Sequence, residues 1–345
     1  MANLENLANK YRPANFDDMV EQTLIVDMVR NLCESDHLNC RNFLFIGPAG
    51  CGKTTIAKII GSVLNDGRAD YLEVDAASHN GVDSVKQIID QARTYPVGMK
   101  YKIFILDEVH AFSQNAWQML LKTLEEGPAK SVFILCTTNP EKIPATILSR
   151  VQTFQLSKIS LDGITNRLKH VIECENAEGR NITYEESALV YIAKLANGGL
   201  RDSLTLLDKA LAYSTNITSE GLVQALNLPE YDDYFELLSA YARRDNEAVT
   251  AIIHKVYNSG VNFLKWFEGF HSFVINVVKY IFMQDIEATM IPAHYLDKVR
   301  NYGAKHSVFC LKLANKLLKM NAELKSTQYL QEVALTYLCV LPRKE

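Results

Sequence analysis

Residues 47–54 read Gly-Pro-Ala-Gly-Cys-Gly-Lys-Thr, a G-x-x-x-x-G-K-[ST] pattern. Each residue type has a task in holding a polyphosphate. Gly47, Gly50 and Gly52 let the loop fold back with its N–H groups toward phosphate oxygens, and the N-terminus of a following helix adds partial positive charge. Lys53 can reach the β- and γ-phosphates, and the Thr54 hydroxyl can ligate Mg²⁺. The stretch "IFILDEVH", 103–110, supplies a second half. Asp107 ends an apolar run, where a carboxylate can hold Mg²⁺ through its water shell. Glu108 can polarise an attacking water as general base. An isolated Asp-Glu pair is an ordinary acidic strand end; beside a phosphate loop it completes what metal-assisted phosphoryl transfer needs.

Three further polar residues are ambiguous by themselves. Asn139, in "CTTNPEK", either forms an Asx turn before Pro140 or orients water beside a γ-phosphate. Arg201 opens a helical pattern after Gly198-Gly199, where an isolated arginine is solvated. Arg150, in "TILSRVQTF", sits between a proline-marked turn and a short apolar run, the usual place of a surface charge.

These groups need a scaffold. Apolar runs at 43–46, 71–74, 102–107, 131–138 and 151–156 read as strands. Helical patterns at 53–64, 82–93 and 114–126 separate the first four, the last stopped by Gly127-Pro128. Strands alternating with helices imply a mostly parallel sheet covered on both faces. After about residue 157 strand signals stop. Helical stretches follow, including 185–196 and 200–213, and from about 229 the pattern is helical with aromatics on apolar faces. Domain boundaries are therefore expected near 158 and 228.

Composition bounds the alternatives. The chain has 345 residues, 48 % of them hydrophobic and 22 % charged, enough for two or three cored domains. A net charge of −4 gives no bulk reason to expect nucleic acid. The seven cysteines are scattered without a C-x-x-C pair, so neither zinc nor a disulfide framework is expected. The N-terminus lacks a signal-peptide pattern. The apolar segment 261–282 is interrupted by Lys265, Glu268, His271, Asn276 and Lys279. Its Leu264, Phe267, Val274, Val278 and Ile281 fall at helical spacing, which fits a buried amphipathic helix better than a membrane span. No membrane association and a cytoplasmic location are the expectation.

The order of these pieces resembles the AAA+ clamp-loader ATPases of the bacterial DNA polymerase III gamma/tau type. The likeness lies in "KYRPANFDDMVEQ" (10–22), "GPAGCGKTTIAK", "LEVDAASHNGVDSVKQI" (72–88), "IFILDEVHAFS", "NAWQMLLKTLEEGP" (115–128), "TTNPEKIPATILSR" (137–150), "NGGLRDSLTLLDKAL" (197–211) and "STQYLQEVALTYL" (326–338). It is dense over 10–211 and weak over 225–320. The resemblance implies a P-loop AAA+ domain over 1–158, a helical lid over 159–227 and an all-helical collar that forms oligomers over 228–345. It places Tyr11, Arg12, Pro13 and Gln22 against adenine, and residues 47–55 (Gly47, Pro48, Ala49, Gly50, Cys51, Gly52, Lys53, Thr54, Thr55) around the phosphates of ATP with Mg²⁺. It assigns Asn139 to sensor 1, Arg201 to sensor 2 and Arg150 to an arginine finger acting on a neighbour's ATP, for which a permanently charged fork is suited. It also implies a sliding clamp, primer-template DNA and other loader subunits as partners, in a homo-oligomer within a five-subunit assembly. Ser78, His79, Asn80 and Gly81 are then either DNA-backbone contacts or a simple N-cap turn.

Four departures stand out. The family's four-cysteine zinc module is absent from 59–74, so no zinc is expected. Ser149-Arg150-Val151 replaces Ser-Arg-Cys. Glu21-Gln22 replaces Gly-Gln, which weakens the adenine-side assignment. The chain stops soon after the collar, without the long tau-type tail, which points to a streamlined subunit of bacteriophage origin. A clamp-loader ATPase motor is the leading expectation. The alternatives are a related AAA+ DNA remodeller such as a branch-migration motor, and a non-hydrolysing structural arm, against which intact Lys53 and Glu108 argue.

Overall fold

A computed structural model of the chain describes residues 6–34, 41–68, 71–127, 130–226, 231–284, 289, 291 and 295–339. Strands β1 (Asn42–Ile46), β2 (Tyr71–Asp75), β3 (Lys102–Asp107), β4 (Ser131–Thr137) and β5 (Gln152–Gln155) form a parallel sheet in the order β2-β3-β4-β1-β5. Around it run α2 (Thr23–Glu34), α3 (Lys53–Leu64), α4 (Val82–Ala92), α5 (Gln114–Glu126) and α6 (Ala145–Leu148), while α1 (Leu7–Lys10) precedes them in the chain and α7 (Leu161–Ala177) follows β5. The edge strands β2 and β5 carry polar residues, whereas the inner strands β1, β3 and β4 are apolar on both sides because helices cover both faces, as parallel crossovers require. Side-chain alternation divides them. Phe43, Phe45, Ile103, Ile105, Val132 and Ile134 pack with α2 and α3. Leu44, Phe104, Leu106, Phe133 and Leu135 pack with α4 and α5. The stop expected at Gly127-Pro128 is seen at Gly127, the C-cap of α5; Pro128 lies outside the described residues.

By its contacts the chain divides into two compact units, 1–180 with 192–208, and 181–191 with 209–345. The division falls within α8 (Glu186–Leu195) and α9 (Leu200–Tyr213). The boundary expected near 228 lies outside the described residues. The second unit contains α10 (Ser219–Ala225), α11 (Tyr231–Arg243), α12 (Asn246–Asn258), α13 (Phe263–Met283), α14 (Leu296–Leu324) and α15 (Leu330–Leu338), and the apolar faces of α11 to α15 share one core.

Two expectations are corrected here. Strand structure does not end at 157. Thr183–Tyr184 (β6) pairs in parallel with Asn216–Ile217 (β7), a ladder too short to leave an alternation in the sequence. In α13, Leu264, Val278 and Ile281 are only partly buried. The deepest stripe is Phe263, Trp266, Phe267, Phe270, Phe273, Val274, Val277 and Tyr280. Asn276, which reads as an interruption, lies inside that core, with its Nδ2 donating to Ser272 O at 2.8 Å. Among the described residues no helix is long and apolar enough to cross a membrane.

Gly61 in α3 faces the sheet with Ile103 Cγ2 and Tyr71 Cδ1 at 3.4 and 3.6 Å from the position of a β-carbon, an ordinary contact. Gly61→Ala is therefore expected to stabilise the protein by about 0.5 kcal/mol through helix propensity and lost unfolded-state freedom. The denaturant midpoint, at unchanged slope, measures it; a fall in midpoint contradicts this packing.

Candidate active site

The site gathers at the C-terminal edge of the sheet. The loop after β1 leads into α3, Asp107 ends β3, and β4 lies between those two strands. The segment after β4 is thereby placed between loop and carboxylates, with Ile46 paired to Thr137 and Leu106 to Leu135. Gly50 and Gly52 have φ of 72° and 108°, the left-handed region that glycine occupies without strain. Gly50 also abuts Gly199: a β-carbon at 50 would stand 3.0 Å from Gly199 Cα. The Leu200 N–H donates to Gly50 O at 3.0 Å, which draws the start of α9 onto the loop and brings Arg201 into the cleft lined by Ala49 to Thr55.

Lys53 is buried, and its Nζ donates to the carbonyls of Gly47 and Pro48, each at 2.9 Å. The Thr54 hydroxyl donates to Asp107 Oδ2 at 2.7 Å. A hydroxyl and a carboxylate together beside a phosphate loop are the hard oxygen donors Mg²⁺ takes, so these two residues fit the ion. Bound there, Mg²⁺ would neutralise developing charge on phosphate oxygens. Glu108 has a left-handed backbone, φ 49°. Its Oε2 lies 3.1 Å from both Thr138 Oγ1 and His110 Nδ1. The Thr138 hydroxyl is also 2.9 Å from Asn139 Oδ1 and can donate to only one of the two at a time. Sequence reasoning missed Thr138 and His110, although each is within two residues of a residue it singled out.

The other end of the cleft is apolar, formed by Ala8, Met19, Val20, Ile159, Leu200 and Leu204 with Tyr11, Arg12 and Pro13. It suits a flat base. The short α1 carries Ala8 and precedes Tyr11, and it is pinned at both ends. The Leu7 N–H donates to Asp208 Oδ2 at 2.9 Å. At the other end Glu175, 2 % exposed, receives Lys10 Nζ at 2.7 Å, Tyr11 OH at 2.8 Å and Arg180 Nη1 at 2.9 Å. Burial alone would raise the Glu175 pKa, but Lys10, Tyr11 and Arg180 outweigh it and hold the carboxyl below its ordinary value. Burial and the same carboxylate push the Tyr11 phenol up to about 12.

Several expected site residues stand apart. Gln22 does not line the cleft: its Nε2 donates to Ser157 O at 2.8 Å and its Oε1 accepts from Ser157 N at 3.2 Å. Glu21 and Gln22 both have positive φ, 58° and 59°. The Glu21 carboxylate accepts from the Ser160 N–H at 3.0 Å and from its hydroxyl, at the N-cap of α7. A β-carbon at Gly163 would run into that carboxylate. Asn139 lies beside the cleft, with its Nδ2 donating to Glu141 Oε1 at 3.0 Å, which holds the Glu141 carboxyl below the usual range. Ser78, His79 and Asn80 are exposed outside it, turned around Asp75: Ser78 Oγ donates to Asp75 Oδ2 and the His79 N–H to Asp75 O, both at 3.0 Å. Gly81 is the N-cap of α4, with no side-chain cap. Arg150 lies at the opposite edge of the sheet from the loop. It precedes β5, whose Gln152 pairs with Phe43 near the start of β1, whereas the loop follows the end of β1. At about 3.3 Å per residue, the five-residue strand puts roughly 16 Å between them.

The sheet order, phosphate loop and paired carboxylates define a nucleotide-binding module of the AAA+ ATPase fold. Two family models match: "DNA polymerase III, delta subunit" over residues 69–160, and "DNA polymerase III clamp loader subunit, ATPase lid domain" over 163–216. The gamma subunit of DNA polymerase III from Buchnera aphidicola subsp. Baizongia pistaciae is 30 % identical over 334 residues, 89 % of each chain. The gamma/tau subunit from Mycoplasma genitalium is 31 % identical over 88 % of this chain, and the tau subunit from Bacillus subtilis 38 % over 60 %. The chain spans 54 % and 39 % of the lengths of these last two. Thermotoga maritima RuvB, a Holliday junction branch migration motor, superposes with a TM-score of 0.51 over 67 % of this chain and 79 % of its own; at 16 % identity this shows the fold alone. The chain belongs to the gamma/tau family of DNA polymerase III clamp-loader subunits.

Glu175→Gln is expected to destabilise the protein by about 2 kcal/mol, because it removes charge-assisted hydrogen bonds to three donors, and to weaken nucleotide binding through Tyr11. Thermal unfolding and nucleotide titration measure the two effects. A depressed carboxyl stabilises the fold fully above its unfolded pKa, near the ordinary 4.5, and loses that contribution as pH falls through the lower folded value. The stability difference between wild type and Glu175→Gln should therefore be constant near neutrality and shrink below about pH 4.5.

Proposed function

We propose that this chain is an ATPase motor subunit of a DNA sliding-clamp loader. One observation carries the reading: the residues expected to act on ATP fall into two separate groups. Lys53, Thr54, Asp107, Glu108 and Arg201 surround one cleft, while Arg150 lies at the far edge of the same sheet. Family membership makes Arg150 the group expected at a neighbour's nucleotide.

The loop N–H groups and Lys53 bind the β- and γ-phosphates of ATP, and Tyr11, Arg12 and Pro13 border the base. Thr54 and Asp107 hold Mg²⁺. Glu108 takes a proton from water as its oxygen attacks the γ-phosphorus, the bond to the β–γ bridging oxygen breaks, and ADP and phosphate leave. His110 and Thr138 border the Glu108 carboxylate, the Thr138 hydroxyl donating either to it or to Asn139, and Asn139 orients the water. Arg201 stabilises phosphate charge in cis and Arg150 in trans.

ATP binding assembles a spiral within a five-subunit complex that opens the clamp and holds primer-template DNA, with 78–81 near the phosphate backbone. Hydrolysis then releases the closed clamp on DNA in the cytoplasm. Three domains, 1–158, 159–227 and 228–345, divide the work as motor, lid and oligomerising collar.

In the assembled loader, Glu108→Gln should retain ATP binding and reduce turnover by about 10²- to 10⁴-fold. Arg150→Ala should leave ATP affinity of the isolated chain unchanged and reduce hydrolysis stimulated by clamp and primed DNA by about 10³-fold or more. Loss of nucleotide binding by isolated Arg150→Ala would place that residue in cis and overturn this grouping.

A further inference from the structure

Arg150 does not wait with a free guanidinium. Its Nε donates to Glu125 Oε1 at 2.6 Å and its Nη2 to the same oxygen. Its Nη1 donates to Thr146 O at 2.5 Å and to Ser149 Oγ at 3.0 Å. Of the five N–H donors of a guanidinium, four are engaged within the same subunit. The edge presented by Nε and Nη2, which binds a carboxylate or phosphate as a fork, is the one Glu125 covers.

The pair is held in register from below. The Asn42 side-chain amide, at the start of β1, donates to Leu124 O at 2.9 Å and to Arg150 O at 3.1 Å. One side chain therefore fixes the backbone next to Glu125 and that of Arg150 itself. The ion pair remains partly exposed, with side-chain exposures of 30 % for Arg150 and 44 % for Glu125. A pair in that setting is weak, shifting an equilibrium about fivefold at most. It is strong enough to bias an arginine and weak enough to yield to a triphosphate.

The geometry points to Glu125 as a positioning residue that holds Arg150 in a self-satisfied state, so that the γ-phosphate of a neighbour's ATP must displace a carboxylate before the finger engages. This rests on the trans assignment of Arg150. It adds a brake that suppresses hydrolysis until assembly on DNA brings the phosphate close enough to compete. Phosphate and carboxylate want the same edge of the guanidinium, so occupancy is exclusive.

The test uses the loader purified with its partner subunits and clamp, and measures ATP turnover with and without primed DNA. Glu125→Gln should raise turnover without DNA about three- to fivefold, leave the DNA-stimulated kcat within about twofold, and so lower the stimulation ratio. Glu125→Asp, which keeps the charge, should lie nearer wild type. The gain should vanish in Glu125→Gln/Arg150→Ala, because it acts through the arginine. A DNA-independent rate that stays at wild type or falls in Glu125→Gln overturns the brake, while loss of stimulation in Arg150→Ala leaves the finger standing. Full stimulation in Arg150→Ala removes the finger, and the brake with it.

Discussion

One backbone hydrogen bond, from the Leu200 N–H to the carbonyl of Gly50, ties the phosphate loop to the helix that carries Arg201. Such a bond needs two main chains at contact distance. Position 50 meets that need with a left-handed residue lacking a β-carbon, and position 199 with a second glycine facing it. The loop is thus shaped by two constraints at once. It must turn its N–H groups toward a phosphate, and it must leave one carbonyl free for α9. Arg201 reaches the cleft as a consequence of this contact rather than through any property of its own side chain.

Carboxylates in this unit are handled in contrasting ways. Glu175 is buried and surrounded by two cations and a phenol, so its charge is consumed in holding α1. Asp107 and Glu108 meet no cationic side chain as close as those on Glu175: Asp107 takes the Thr54 hydroxyl and the Glu108 N–H, and Glu108 lies beside the Thr138 hydroxyl and the His110 imidazole at the open cleft. The difference follows from position. Glu175 lies within α7 against the N-terminal segment, whereas Asp107 and Glu108 leave the sheet at the edge where β4 separates two strands and opens a crevice.

The elements that position the chemistry were legible because their signals are local. The phosphate loop carries its own glycines, and β3, α3 and α5 fall on the residues their periodicity indicates. Gln22 was read from an N-terminal likeness, yet its amide faces Ser157, because consecutive left-handed residues at 21 and 22 turn both side chains toward the segment before α7. Glu175, Thr138, Glu125 and Asn42 left no signal of their own. Glu175 acts on residues more than 160 positions away, and Asn42 bridges residues 82 and 108 positions distant. A pairing of that range exists only once the sheet order is known. The two-residue strands β6 and β7 were invisible for the opposite reason: they are too short to show any period.

The tie between Glu21 and Ser160 reaches beyond a single molecule. The Glu21 carboxylate occupies the space that a side chain at 163 would enter, so the two positions are coupled through packing. In a lineage that carries Glu21, a larger residue at 163 must first push the acid off the N-terminus of α7. Once position 21 has lost its acid, that obstacle is gone, and only Ile159, at 3.0 Å, still crowds a methyl at 163. A replacement at 163 thus depends on the residue at 21: the acid must give up its bonds to Ser160 for a β-carbon to enter, and as the far end of a flexible side chain it can swing aside.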